Sequence, residues 1–254
     1  MELPKNGFKA ALAEGRRQIG VWCQIPGGGH AEALARCGFD WMMIDTEHSA
    51  TDLTMVQTML QAAAPWPTHS VVRPGWNDAV EIKRLLDLGA RNLLIPYVQS
   101  AEEARRAVAA VRYPPEGTRG VAGLTRASGF GLIKDYTARA NAEICLLVQV
   151  ETAAALEEIE AIAAVDGVDG VFIGPADLGA SMGFPGQGGR AEVKAAVRDG
   201  IRRIKAAGKP PGVLSLDQPF LRELQEDGAV FTAVDVDTAI LMNGARARAK
   251  EWQG

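Results

Sequence analysis

The sequence predicts a single (β/α)₈ barrel, in which helices surround a closed parallel sheet. About eight short apolar runs alternate with longer amphipathic stretches along the whole chain. Several runs are apolar almost throughout, as strands covered on both faces must be. No linker-like tract divides the 254 residues, a length that such barrels commonly use as one domain. An open, doubly wound sheet is the chief alternative.

The strands are predicted from their apolar, β-rich composition. They cover residues 19–24, 41–45, 70–73, 92–98, 144–151, 170–173, 211–214 and 231–236.

The helices are predicted from apolar residues spaced three and four apart. They cover residues 30–38, 52–64, 77–90, 101–112, 152–165 and 192–208. Gly89, Gly167 and Gly208 lie at the ends of three of these stretches, where we expect a left-handed residue to close the helix.

Composition excludes several classes of protein. The chain is 47% hydrophobic and 6% aromatic, with a formal net charge of −4 and no block of basic residues. Binding to nucleic acid or to an anionic membrane requires clustered positive charge, so we expect neither partner. The first twenty residues lack the apolar core of a signal peptide, and no apolar run is long enough to span a bilayer. A cytoplasmic protein is therefore the expectation.

Three cysteines, Cys23, Cys37 and Cys145, show no metal-ligand spacing and lie in apolar segments. We expect inert thiols in the core.

Two long segments, residues 112–136 and 179–190, separate predicted elements. In a barrel, long functional loops lie at the carboxyl ends of the strands, and both segments are expected there.

Polar side chains follow several of the apolar strands, where a barrel gathers its reactive groups. Burying such groups is unfavourable unless they are paired or used. They are Asp45, Glu47, His48, Arg73, Gln149, Glu151 and Asp177.

Glu151 and Asp177 follow neighbouring strands and should face each other across the barrel mouth. Two such charges repel unless a cation lies between them, and an oxygen-only pair suits Mg²⁺ or Mn²⁺. The alternative is that each acid caps the helix that follows it, which is a common role for acids after strands.

His48 is a candidate general base because its unperturbed pKa lies near neutrality. Asp87 or Asp45 could accept the other ring N–H, and a solvated loop histidine is the alternative. His30 and His69 have no comparable context and are expected to be structural.

Arg73 ends an apolar strand, so its guanidinium should meet an anion. This anion could be a substrate carboxylate, an enolate oxygen, or Asp45 or Glu47 within the chain. The Gly27–Gly28–Gly29 run lacks a phosphate-binding spacing and predicts a tight turn.

An imine mechanism needs a desolvated lysine inside the barrel. Only Lys134, in the first long segment, is placed to reach the mouth, so stabilisation of a carbanion by a metal is favoured.

The sequence resembles the HpcH/HpaI aldolase family, the metal-dependent class II pyruvate aldolases, over nearly its whole length. The motifs that carry the resemblance are GVW (20–22), WMMIDTEH (41–48), VVRP (71–74), LLDLGARNLLIPYV (85–98), RYPPEGTRGV (112–121), CLLVQVET (145–152), GVDGVFIGPADLGASMGFPG (167–186) and VDT (236–238).

The resemblance implies a role for each matching position. Glu151 and Asp177 match the ligands of a divalent cation, Mg²⁺, Mn²⁺ or Co²⁺. Arg73 matches the arginine that steadies the keto or enolate oxygen, and His48 and Asp87 match a base dyad. Substrate contacts are implied at Gln149, Ala176, Asp177, Trp22 and Leu216.

The implied reaction is the reversible cleavage of a 4-hydroxy-2-oxo acid to an aldehyde and the enolate of pyruvate or hydroxypyruvate. The implied assembly is a homo-hexamer whose last helix packs into a neighbouring subunit. The segment 123–131 and the residues SLDQ at 215–218 depart from the family pattern, which leaves the aldehyde undefined. A malyl- or citryl-CoA-type lyase and a barrel that binds 2-oxo acids without turnover are the alternatives.

Overall fold

The computed structural model describes residues 1–253 and shows a closed barrel of eight parallel strands in chain order. The last strand pairs with the first, so the single barrel is confirmed and the open sheet is excluded. The strands are β1 (Gln18–Cys23), β2 (Trp41–Asp45), β3 (His69–Arg73), β4 (Asn92–Ile95), β5 (Cys145–Val150), β6 (Gly170–Ile173), β7 (Pro211–Leu214) and β8 (Phe231–Val236).

Helices form an outer layer around this sheet. They are α1 (Gly7–Ala13), α2 (Gly28–Ala35), α3 (Leu53–Ala63), α4 (Ala79–Asp87), α5 (Ala101–Val111), α6 (Tyr136–Ala140), α7 (Ala153–Glu157), α8 (Ile159–Ala163), α9 (Pro175–Ser181), α10 (Ala191–Ala206), α11 (Gln218–Asp227) and α12 (Asp237–Gln253). Gly89, Gly167 and Gly208 have positive φ values of 91°, 95° and 80°, as expected of residues that close helices.

The barrel interior is apolar and is closed at its amino end by α1. Phe8 of this helix is fully buried, and its ring lies 6.1 Å from Trp41 and 6.5 Å from Phe231 between ring centroids. The reactive end of the barrel is therefore the opposite one, at the carboxyl ends of the strands.

The first long segment does not lie where the sequence analysis expected it. Residues 112–135 follow α5 and precede β5, so they run along the amino end of the barrel. The guanidinium of Arg126 donates to the carbonyl of Leu88, just after α4, at 2.7 Å. The second segment follows α9 and precedes α10, and it lies at the carboxyl end as expected.

The predicted burial of the cysteines is confirmed for two of the three residues. Cys23 and Cys145 are buried, but Cys37 is exposed because the short α2 ends just before it. Among residues 1–253, no helix is long and apolar enough to cross a membrane.

Candidate active site

The ends of six strands bring the candidate residues to one rim of the barrel. Trp22, Asp45, Arg73 and Gln149 lie within strands β1, β2, β3 and β5. The rest follow strand ends, since Glu47 and His48 come after β2, Glu151 after β5, Asp177 in α9 after β6, and Leu216 after β7.

Arg73 is locked into place by Asp45. Its Nε and Nη2 donate to the two carboxylate oxygens of Asp45 at 2.9 and 2.7 Å, and both side chains are buried. The indole of Trp22 donates to the same carboxylate at 3.1 Å, and its ring lies 4.8 Å from the guanidinium carbon. Burial alone would raise the pKa of Asp45, but the hydrogen bonds and charge of Arg73 outweigh it and lower that pKa. The arrangement fixes a permanent positive charge in the rim.

Glu47 adds a second acid to this arginine. Nη1 of Arg73 lies 2.8 Å from Oε2 of Glu47, but out of line for a hydrogen bond, so that buried oxygen has no hydrogen-bond partner. Burial raises the pKa of Glu47 against the opposing pull of Arg73, and the charges of Asp45 and Asp177 raise it further. Arg73 thus meets both acids that the sequence analysis offered it.

His48 is the exposed member of the group, with 58% of its side chain accessible. Its Nε2 lies 3.9 Å from Oε1 of Glu47. Asp45 does not orient the ring, because its carboxylate is occupied by Arg73 and Trp22 and meets only the backbone N–H of His48 at 3.5 Å.

Glu151 is buried in the rim and has no cationic partner among residues 1–253. Its residue is only 2% exposed, and its Oε1 accepts the backbone N–H of Tyr97 at 2.8 Å while the amide of Gln149 donates to Oε2. Burial raises the pKa of Glu151 to about 7, and the negative charges of Glu47 and Asp177 contribute to this rise.

The capping alternative for Glu151 is wrong. The hydroxyl of Thr152 accepts from the N–H of Ala155 at 3.1 Å and caps α7, so Glu151 has no such role. Asp177 lies in the first turn of α9, is exposed, and is not the N-cap residue, which is Gly174.

Gly174 makes room for the carboxylate of Glu151. A Cβ atom at this position would lie 2.6 Å from Oε2 of Glu151 and 2.8 Å from Nε2 of Gln149. Only glycine therefore allows the chain to pass this closely on its way from β6 to Asp177.

The donor set fits a divalent cation with a preference for oxygen ligands. The charge of Asp177 contributes to the raised pKa of the buried Glu151, and a cation that replaces the proton of Glu151 removes this repulsion. In addition, Oε1 of Gln149 is buried and has no hydrogen-bond partner within the described part of the chain, which leaves a polar group for a bound molecule.

Asp87 does not join His48 within one chain, which corrects the expected dyad. Asp87 is the last residue of α4, which runs back from the rim, so it lies near the amino end of the barrel. Its carboxylate accepts from Nη2 of the buried Arg119 at 2.8 Å.

Lys134 lies in the same segment as Arg119, at the amino end of the barrel, and not at the mouth. Within one chain, Lys134 therefore lies at the opposite end of the barrel from the rim, where an imine would have to form. Ala176 and Leu216 are both exposed at the rim.

Two aromatic residues at the rim escaped the sequence analysis. Trp76 and Tyr97 follow β3 and β4, and their rings stack with centroids 5.4 Å apart although both are exposed. The backbone of Tyr97, with a φ of 55°, directs its N–H to Glu151. No sequence motif marks this contact, because it is made by the backbone.

Comparisons with known proteins find similar sequences over nearly the whole chain. A family model described as HpcH/HpaI aldolase/citrate lyase matches residues 18–244. The chain is 59% identical over 252 residues to a protein of Sagittula stellata named hydroxypyruvate/pyruvate aldolase, covering 99% of this chain and 100% of that protein. It is 53% identical over 249 residues to a Salmonella paratyphi C protein named 4-hydroxy-2-oxo-heptane-1,7-dioate aldolase, covering 98% of this chain and 95% of that one.

A solved structure agrees with the fold. The crystal structure of a family protein from Burkholderia cenocepacia J2315 superimposes with a TM-score of 0.95 at 36% identity, covering 98% of this chain and 100% of the other.

Proposed function

The chain belongs to the HpcH/HpaI aldolase/citrate lyase family, whose named relatives are carbon–carbon lyases, and from this premise we propose that it is a class II pyruvate aldolase. It cleaves 4-hydroxy-2-oxo acids reversibly to an aldehyde and pyruvate or hydroxypyruvate. The two donors are those in the name of the Sagittula relative.

The observation that carries this proposal is the buried carboxyl of Glu151. Its pKa is raised to about 7 by burial and by the charges of Glu47 and Asp177, and it has no structural role as a cap. Glu151 and Asp177 would hold a divalent cation, Mg²⁺, Mn²⁺ or Co²⁺. When bound, this cation supplies Lewis acidity to the 2-oxo group and to the enolate.

Arg73 stabilises negative charge on the substrate. Its guanidinium is fixed by Asp45 and cannot turn away, so its remaining N–H groups are held ready for the keto oxygen and the enolate oxygen. Trp22 packs against Arg73 and excludes water from beneath it. Gln149 binds the pyruvyl group with the amide atom that has no partner in the protein.

His48 handles the proton of the 4-hydroxyl group. In the cleavage direction its imidazole removes this proton, the C3–C4 bond breaks, and the aldehyde leaves. The exposure of His48 matches this role, because the aldehyde portion lies on the solvent side of the pyruvyl group. Ala176 and Leu216, also exposed at the rim, border that portion.

Asp87 can serve as the dyad partner of His48 only from another copy of the chain. The two residues belong to opposite ends of the barrel, so the contact requires an oligomer in which the amino end of one barrel meets the rim of the next. This contact supports an oligomer, and so does α12, which exposes Ile240, Leu241, Met242 and Trp252, apolar side chains that a neighbouring subunit would cover. We propose that the oligomer is the homo-hexamer that the family resemblance implies.

The decisive test removes and restores the cation. After treatment with a chelator, release of pyruvate from a 4-hydroxy-2-oxo acid should fall to background and return with Mn²⁺, Mg²⁺ or Co²⁺. Undiminished activity in the metal-free protein would refute the proposal. A panel of aldehydes with pyruvate and hydroxypyruvate as donors then identifies the acceptor.

The same assay separates the alternatives. A malyl- or citryl-CoA-type lyase would cleave a CoA thioester and not the free 4-hydroxy-2-oxo acid. A barrel that only binds 2-oxo acids would show pyruvate binding with no turnover. Borohydride added with pyruvate should leave the chain unlabelled, because an imine is not formed.

A further inference from the structure

A second cluster of ligand-forming side chains lies beside the rim, where β1 and β8 meet. It contains Cys23 at the end of β1, His30 in α2 and Asp237 at the start of α12. One ligand atom from each residue, a sulfur, a ring nitrogen and a carboxylate oxygen, lies within 4.8 Å of the other two. None of these residues belongs to the proposed aldolase site.

Asp237 is a buried carboxylate without an arginine or lysine partner in the part of the chain that the structure describes. Its oxygens accept the backbone N–H groups of Gln24 at 3.0 Å and Ile25 at 2.9 Å, and Oδ2 lies 2.8 Å from Nε2 of His30. The carboxylate is thus oriented rigidly by backbone groups, and its charge is not neutralised by a permanent cation.

Cys23 carries the proton that a cation would replace. Its thiol is fully buried, and burial together with the charge of Asp237 raises its pKa far above the ordinary value. A thiol held beside a carboxylate and an imidazole in this way becomes a thiolate only when a metal ion takes the place of its proton.

We propose that Cys23, His30 and Asp237 form a second metal site, selective for a thiophilic divalent cation such as Zn²⁺ or Co²⁺. Sulfur, imidazole nitrogen and carboxylate oxygen are the ligands that Zn²⁺ takes in proteins, and three protein ligands leave one position for water. The oxygen-only pair of Glu151 and Asp177 suits Mg²⁺ or Mn²⁺ instead. The two sites therefore differ in the metals they select.

His30 lies in the first turn of α2, where a small shift would close the cluster around an ion. Zn–ligand bonds of about 2.0–2.3 Å place tetrahedral ligands roughly 3–4 Å apart. A pair of ligand atoms near the 4.8 Å limit would therefore approach by about 1 Å when an ion binds. Gly27, Gly28 and Gly29 directly precede His30, and a Cβ at Gly29 would meet nothing within 4 Å. The side chain of His30 is 29% exposed, which gives an ion a route to the buried Cys23 and Asp237.

Charge and protons both balance when a divalent cation binds to this cluster. The S–H bond of Cys23 breaks, its proton goes to solvent, and a sulfur–metal bond forms. The hydrogen bond between His30 and Asp237 is replaced by bonds from both residues to the ion. The thiolate and the carboxylate together neutralise the divalent charge, so one proton is released for each ion bound to neutral imidazole and thiol.

Titration of the chelator-treated full-length protein with Co²⁺ tests this proposal. A thiolate-to-cobalt charge-transfer band in the near ultraviolet is expected for the wild-type protein, and Zn²⁺ should abolish it while Mg²⁺ should not. The band should persist in Glu151→Gln, which separates this site from the aldolase metal. It should disappear in Cys23→Ser and in His30→Gln.

Cys37→Ser is the matched control, because Cys37 is exposed and is not a member of the cluster. It should keep the full band. Absence of the band in the wild type, or its survival in Cys23→Ser or His30→Gln, overturns the proposal. His30 is partly exposed, so His30→Gln decides the matter even if Cys23→Ser does not fold.

Discussion

Two buried glutamates at opposite ends of the same strand lie in opposite environments. Glu143 precedes β5 at the amino end of the barrel, where Lys5 donates to Oε1 at 2.8 Å and the backbone N–H of Asn6 donates to Oε2 at 2.7 Å. Glu151 follows β5 at the rim, where the described residues offer it only the backbone N–H of Tyr97 and the amide of Gln149.

The two pKa shifts record this difference. Burial would raise the pKa of Glu143, but the hydrogen bonds of Lys5 and Asn6 outweigh it and lower that pKa. Burial raises the pKa of Glu151 to about 7, and its acidic neighbours add to the rise. A buried acid with built-in partners stabilises the fold, whereas one left without a cation is available for a ligand.

The largest effect on activity should come from removing the charge of Glu151, with the same substitution at Glu143 as its control. Glu151→Gln removes a cation ligand, and we expect activity to fall by about 10³-fold or more, with loss of Mn²⁺ binding in calorimetry. Glu143→Gln is the matched control and should keep both activity and metal binding. It should lose about 1 kcal/mol of stability in urea unfolding. Full metal binding by Glu151→Gln would show that Glu151 is not a ligand of the cation.

The next effect concerns His48, which lies at the rim but holds no metal in the proposal. His48→Ala should retain Mn²⁺ binding and lose about 10²–10⁴-fold in kcat, since general acid–base catalysis contributes on this scale. Loss of metal binding in this variant would assign His48 a different role.

Asp87 extends this test to the oligomer. Asp87→Asn should also be slow, and mixing it with His48→Ala under conditions of subunit exchange should restore part of the activity. The reason is that hybrid oligomers contain some interfaces with both native residues. No recovery after verified subunit exchange would remove Asp87 from the site.

Gly174→Ala should weaken the cation site without changing a ligand. The added methyl group would lie 2.6 Å from Oε2 of Glu151 and push the carboxylate away. We expect Mn²⁺ affinity to fall roughly 10–100-fold, the range found when the surroundings of metal ligands are changed. Gly183→Ala offers a control at a glycine with nothing within 4 Å, although its φ of 90° is expected to cost some stability. Unchanged metal affinity in Gly174→Ala would mean that a methyl group at this position does not displace the carboxylate of Glu151.

The smallest effect is on stability and depends on pH. Folded Glu151 binds its proton more tightly than the unfolded chain, so in metal-free protein stability falls as pH rises from about 4.5 to about 7. Glu151→Gln removes this loss, and at pH 8 the variant should be more stable than the metal-free wild type by about 1–3 kcal/mol. Near pH 4.5 the two proteins should unfold at similar urea concentrations. Equal stability at pH 8 would mean that folding does not raise the pKa of Glu151.

Most of the strands could be predicted from sequence because they are buried on both faces. Seven of the eight agree with the structure to within one residue at each end. The fourth ends early, at Ile95, because Pro96 cannot donate to a neighbouring strand and Tyr97 adopts a left-handed conformation. Pro96 is a signal that the sequence does carry, because proline is rare inside a central strand. The left-handed conformation of Tyr97 is not visible in the sequence, since tyrosine favours strands.

The site was predicted less completely, for reasons that differ between residues. Strand ends predict that Arg73, Glu151 and His48 share a rim. Local sequence cannot tell whether Glu151 or the adjacent Thr152 caps the next helix, because this depends on backbone angles. Asp87 and the segment 112–135 were misplaced because a helix returns the chain to the other end of the barrel before they occur.

The helix that closes the floor of the barrel has a consequence for synthesis. Phe8 is synthesised before all eight strands, but one of its contacts, Phe231, belongs to the last strand. This aromatic side chain therefore lacks part of its final packing until all eight strands have been made.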